Sequence, residues 1–108
     1  MTSKKILWIA ALAALFAGVS AQAANPAAGK EKSKTCAACH GPDGNSAAPD
    51  FPRLAGQHYD YLVKALSDYK SGERKNAIMA PQAANLTLRD MQDLAAYFSH
   101  QQGLVVKR

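Results

Sequence analysis

The sequence predicts an all-α domain of three main helices joined by long loops. Three observations lead there. Helical periodicity recurs in three stretches, no stretch alternates polar and apolar residues as a strand does, and the connections are long and rich in Gly, Pro, Asn and Ala. Loops of that length in a small domain usually wrap something. The chain has 108 residues, 48% of them hydrophobic and 19% charged, an ordinary globular composition. Such a length allows one small domain and excludes a multidomain enzyme or a large doubly wound sheet. Two cysteines are too few for a disulfide-dense scaffold.

The first segment is expected to lie outside that domain. Lys4 and Lys5 precede an apolar run from Ile6 to Val19, followed by Ser20-Ala21-Gln22-Ala23. A charged start, a short apolar stretch and an Ala-x-Ala ending are the parts of a secretory signal peptide. The run is shorter than the roughly 20 residues of a membrane-spanning helix. Residues 1–23 are therefore read as a cleaved leader and 24–108 as the domain, with an uncleaved anchor as the alternative. Cleavage leaves 85 of the 108 residues and removes Lys4, Lys5 and the single tryptophan, Trp8. Eleven basic residues then face 8 acidic ones, so the charge falls from +5 to +3. The remaining lysines are scattered, with no basic cluster interleaved with aromatics, so no nucleic-acid partner is expected.

Helix by helix, the signals are local. Ala27 to His40 follows Asn25-Pro26, a good helix start. Tyr59, Leu62, Val63, Leu66 and Tyr69 share one face of a second helix, which Gly72 should stop. Thr87 is an N-cap with Asp90 three residues on, and Leu86 and Met91 fall at the positions of a hydrophobic staple. Leu88, Met91, Leu94, Ala95 and Phe98 then line one face, with Gly103 expected to end the run. Gly41–Gly56 and Glu73–Asn85 remain as loops.

Cys36-Ala-Ala-Cys39-His40 is the c-type haem attachment motif. On a helical turn, residues i, i+3 and i+4 share a face. Both thiols then reach the two vinyl groups of one porphyrin while the imidazole reaches the iron. Attachment to this motif happens outside the cytoplasm, so the leader supports it independently. A thioredoxin-like pair would need a preceding strand. Zinc would want four ligands, and only His58 and His100 remain, at no familiar spacing. A plain disulfide would not need His40. The second axial ligand has four candidates: Met79, Met91, His58 and His100. Met91 already has a core role, His58 reads as a surface residue, and His100 follows no core pattern. Met79 lies in a loop, where Pro81 favours extended backbone just before it. Its 39-residue separation from His40 lets the chain pass round the haem, so Met79 is the favoured ligand.

Gly29-Lys30, CAACHG from Cys36, FPRLAGQ at 51–57, Tyr61-Leu62 through Gly72-Glu73-Arg74, Met79, and Leu86-Thr87 leading into LAAYF at 94–98 stand together. In that combination the chain resembles small bacterial class I cytochromes c of the cytochrome c553 type and is similar to one half of the dihaem cytochrome c4. The resemblance runs from about Ala28 to Ser99. With one Cys-x-x-Cys-His, the dihaem protein itself is not expected. The resemblance implies the class I fold around one covalent haem c, with thioethers at Cys36 and Cys39 and axial His40 and Met79. It implies that the Pro52 carbonyl accepts a hydrogen bond from His40 and that Gly29 lets the first helix cross the last near Tyr97. Ser33 stands where larger members often carry an aromatic, which would lighten that contact.

With both axial positions filled, no site is left for substrate, so the expected role is electron carrier rather than enzyme. An axial Met raises the potential, and apolar packing from Leu54, Leu62, Leu66, Leu86, Leu94 and Phe98 would exclude water. Arg74 and Gln57 are candidates for the haem propionates, against ordinary surface placement. The first reading is a soluble periplasmic carrier between a quinol-oxidising complex or dehydrogenase as donor and a terminal oxidase or reductase as acceptor, with no membrane span after cleavage. The second is a haem subunit bound to a dehydrogenase or oxidase complex. A gas-binding or peroxidase-like protein would need an open sixth position, against which Met79 argues.

Overall fold

The computed structural model describes residues 23–103, and among them the regular structure is helical, without strands. The leader expected at 1–23 lies outside the described residues apart from Ala23. Helix α1 spans Pro26–Lys32. The Asn25 side chain accepts the N–H groups of Ala27 and Ala28 at 2.9 and 3.2 Å, and Pro26 takes the first helical position, where its missing N–H costs nothing.

That helix does not run on to His40 as the sequence suggested. The Ser33 hydroxyl donates to the Lys30 carbonyl at 2.7 Å, and the chain tightens into a 3₁₀ turn over Ser33–Thr35. Side-chain hydroxyls that bond nearby carbonyls compete with the helix ladder. A separate short helix, α2, then covers Ala37–His40.

Helix α3, Tyr59–Ser71, ends where expected, at Gly72 in the left-handed region (φ 85°). A further helix, α4, spans Met79–Ala83 in a segment the sequence left as loop. Asn76 starts it by accepting the N–H groups of Ile78 and Met79, each at 2.9 Å. Pro81 did not force extended backbone on Ala80, which is helical. In a first turn the proline N–H would have had no helical partner. Helix α5, Leu88–Ser99, opens on a complete capping box between Thr87 and Asp90. It stops short of Gly103, which has another use: a Cβ there would collide with Ala55 and Asn45.

The core lies between α3 and α5. Leu62, Leu94, Ala95, Tyr97 and Phe98 form its buried cluster, with Cys36, Leu54, Tyr59, Val63, Leu66 and Leu86 packed against it. Helix α1 crosses α5 at Gly29, where a Cβ would strike the Asp93 carbonyl and Tyr97. Beside that crossing Asp93 is only 3% exposed. Its carboxylate accepts the Asn25 N–H at 2.9 Å and pairs with Lys32 at 2.7 Å. Among the described residues no helix is long and apolar enough to cross a membrane.

Candidate functional site

One helical turn gathers the motif. The N–H of His40 donates to the Cys36 carbonyl at 2.9 Å and that of Cys39 to the same oxygen at 3.3 Å. This wraps Cys36, Cys39 and His40 onto one face of α2. Both thiols are free and half-buried. Burial pushes the Cys36 thiol up, the Thr35 hydroxyl lowers it against that trend, and nearby Cys39 raises it further. A thiol held protonated against an apolar core is the reverse of a reactive redox or nucleophilic cysteine, whose pKa is depressed.

His40 is 6% exposed, and its Nδ1 lies 2.8 Å from the Pro52 carbonyl oxygen. A carbonyl can only accept, so Nδ1 carries the proton and Nε2 holds the free lone pair. Nε2 makes no hydrogen bond among the described residues, yet it is not a sealed, unpartnered polar atom. It keeps some contact with solvent. Phe51 stands edge-on to the imidazole, with ring centroids 6.4 Å apart.

The loop that brings Pro52 round is pinned along α5. Gly41 turns it at φ 84°, where a Cβ would crowd the Asn45 carbonyl. The Tyr97 hydroxyl donates to the Pro42 carbonyl at 2.8 Å. The N–H groups of Leu54 and Ala55 both donate to the Gly44 carbonyl, at 2.8 and 3.2 Å, and that of Gly56 to the Phe98 carbonyl at 2.9 Å. Sequence reasoning missed the Tyr97 hydroxyl and the Asp93 carboxylate. Asp93 interrupts the otherwise apolar inner face of α5, and a charge among core positions was its one available signal.

Met79 is half-buried at the first turn of α4. The other candidates are placed elsewhere. Met91 is 3% exposed in the packing of α5. His58 is exposed just before α3. His100 ends α5 with Nδ1 on the Ala96 carbonyl at 2.6 Å. Arg74 and Gln57 both have partners within the chain. The Arg74 guanidinium donates to the Tyr61 hydroxyl at 3.2 Å and lies 4.7 Å over the Tyr69 ring, and Gln57 accepts the His58 N–H.

These residues fit a haem: two thiols one turn apart, an imidazole oriented by a carbonyl with its other nitrogen open, and half-buried apolar residues of α3 and the loops around them. A helical domain carrying that arrangement is a c-type haem domain. The chain belongs to the cytochrome c family, whose "Cytochrome c" model matches residues 26–102, and covalent haem c is its cofactor. The fold superposes on the crystal structure of reduced recombinant cytochrome c4 from Pseudomonas stutzeri with a TM-score of 0.72 and 46% identity, over 77% of this chain and 48% of that one. Cytochrome c-554(548) of Halomonas halodenitrificans is 45% identical over 83 residues, 74% of this chain and 100% of that protein. A thiosulfate dehydrogenase electron acceptor of Stutzerimonas stutzeri is 43% identical over 106 residues, 86% of this chain and 47% of that protein. The chain spans about half the length of the cytochrome c4 relatives it matches.

Proposed function

We propose that this chain is a one-electron carrier, and the observation that carries the reading is His40 with Nδ1 bonded to Pro52 and Nε2 open. In this reading Cys36 and Cys39 would hold the haem as thioethers, and His40 and Met79 would ligate its iron. When bound, the haem supplies reversible one-electron iron chemistry. The protein's part is to hold it. The Pro52 carbonyl fixes the imidazole tautomer and makes Nε2 a better donor. Leu54, Leu62, Leu66, Leu86, Leu94 and Phe98 keep water away, which with a thioether ligand favours the reduced form. With both ligands in place no coordination site would remain for a substrate, so the role would be transfer and not turnover.

In this reading residues 1–23 are a cleaved leader that would export the domain, residues 24–108, to the periplasm. Its partners there are redox proteins: a quinol-oxidising complex or dehydrogenase as donor and a terminal oxidase or reductase as acceptor, met through small transient contacts. A second reading, a haem unit working with a dehydrogenase, draws support from the likeness to a thiosulfate dehydrogenase electron acceptor.

The test is an absorption spectrum of the exported protein, oxidised and reduced, for wild type and Met79→Ala. Wild type should show the weak long-wavelength sulfur-to-iron band and resist carbon monoxide. Met79→Ala should lose the band and bind the gas. A wild type that lacks the band and takes up carbon monoxide would end the carrier reading.

A further inference from the structure

Ser46 is only 7% exposed, and neither the attachment motif nor the axial ligands account for it. Its hydroxyl lies 3.2 Å from the Cys39 carbonyl and 3.0 Å from the Ala48 carbonyl, and it accepts the Ala48 N–H at 3.2 Å. The Cys39 carbonyl belongs to the last turn of α2, where helix carbonyls have no partner further along the helix. The Ser46 hydroxyl is the side-chain donor within reach of it, its one hydrogen shared with the Ala48 carbonyl. The Ala48 carbonyl in turn accepts the Phe51 N–H at 3.2 Å. Phe51 stands edge-on to His40, and the next residue, Pro52, supplies the oxygen on His40 Nδ1.

These bonds close a ring that leaves the attachment helix at Cys39 and returns to it at His40. We infer that Ser46 is a positioning residue for the axial histidine: its hydroxyl ties the end of α2 to the turn at Ala48 and thereby sets where the Pro52 carbonyl meets Nδ1. The inference rests on the reading of His40 as an iron ligand. The neighbouring bonds of Asn45, to Asp43 and to the Gln102 carbonyl, secure the loop to the segment after α5 but touch neither Cys39 nor Ala48. Without the Ser46 hydroxyl, the Cys39 carbonyl and the Ala48 N–H lose their partner, and the Pro52 carbonyl is free to drift. A weaker bond at Nδ1 makes the imidazole a poorer donor, which destabilises the oxidised iron and raises the reduction potential.

The experiment compares haem-loaded wild type, Ser46→Ala, Ser46→Thr and Thr87→Ala, the last a helix-cap variant away from the loop. The readouts are reduction potential and the exchange rate of the His40 Nδ1 proton by NMR. Ser46→Ala should exchange about tenfold faster, as expected for one lost hydrogen bond, and shift the potential upward. Ser46→Thr, which keeps the hydroxyl, should match wild type in both. Thr87→Ala should lose stability without moving either. Wild-type exchange and potential in Ser46→Ala would overturn the inference, and so would a shift of equal size in Thr87→Ala. If Ser46→Ala yields no haem-loaded protein, Ser46→Thr decides: wild-type values uphold the role of the hydroxyl, and altered values overturn it. A wild type with no covalent haem would instead overturn the haem reading, whatever the variants do.

Discussion

Asp93 carries its charge at 3% exposure, and the chain has arranged compensation on both carboxylate oxygens. Burial pushes its carboxyl up, but the Asn25 N–H and the Lys32 ammonium outweigh that and hold it below the usual carboxylate range. Asp90 shares the same lysine, 2.9 Å away. It is lowered to about 2, first by the Thr87 backbone N–H and then by Lys32. A carboxylate whose folded pKa lies below its unfolded value stabilises the fold above the unfolded value, near 4, and loses that contribution as pH falls through the folded one. Thermal melts followed by far-UV circular dichroism should therefore fall steadily between about pH 4 and pH 2. Asp93→Asn should flatten that slope, and a wild-type melting temperature constant over the window would refute the account. At neutral pH, Asp93→Ala should cost about 1–3 kcal/mol, because it strands the Asn25 N–H and the Lys32 ammonium. Gly29→Ala meets the same crossing from the other side. Its methyl runs into backbone that has no room to yield, so a loss of about 1–3 kcal/mol or more is expected in denaturant titration.

Helix ends are where the chain wrote its structure most plainly. Asn25-Pro26, Gly72 and Thr87 with Asp90 all act in the structure as their chemistry suggests, because a cap is decided by residues within one turn of it. Thr87→Ala should cost about 0.5–2 kcal/mol in a denaturation midpoint, through the lost bond to the Asp90 N–H. The break after Lys32 was harder to see, since Ser33 and Thr35 are acceptable helix residues until their hydroxyls find the Lys30 and Lys32 carbonyls. Helix α4 was hidden for a similar reason. Its start depends on the Asn76 side chain reaching two N–H groups ahead of Pro81, a local bond that periodicity does not report. Gly103 misled in the opposite direction. It is required by close contact with Ala55 and Asn45 and not by the end of α5, and such tertiary contact leaves no mark in neighbouring residues. The candidate site divides along the same line. Cys36, Cys39 and His40 are one turn and were legible from spacing. The Ser46 hydroxyl and the Tyr97 bond to Pro42 depend on how a long loop folds back over α5.

As a whole, the large apolar side chains buried among the described residues are few: Leu62, Met91, Leu94, Tyr97 and Phe98. The cluster between α3 and α5 is ringed by residues only partly covered, Cys36 and Leu66 among them. A domain the size of the matched segment, residues 26–102, is marginal in any case, because its surface is large for its volume. The haem is then more than a passenger. A haem held by Cys36 and Cys39 would cover the partly exposed apolar residues around the α3 and α5 cluster and so complete the core. A group that binds only the folded chain adds its binding energy to the stability of the fold. Cys36→Ser with Cys39→Ser, which removes both points of attachment and leaves the caps at Asn25, Gly72 and Thr87 in place, should therefore lose far more than the few kcal/mol of any cap or ion pair. Far-UV circular dichroism should show much reduced helix and no cooperative thermal transition, while the haem-loaded wild type melts sharply. A double variant that kept wild-type helicity and a sharp transition without haem would mean that the polypeptide supplies its own core, and the long loops would then need another explanation.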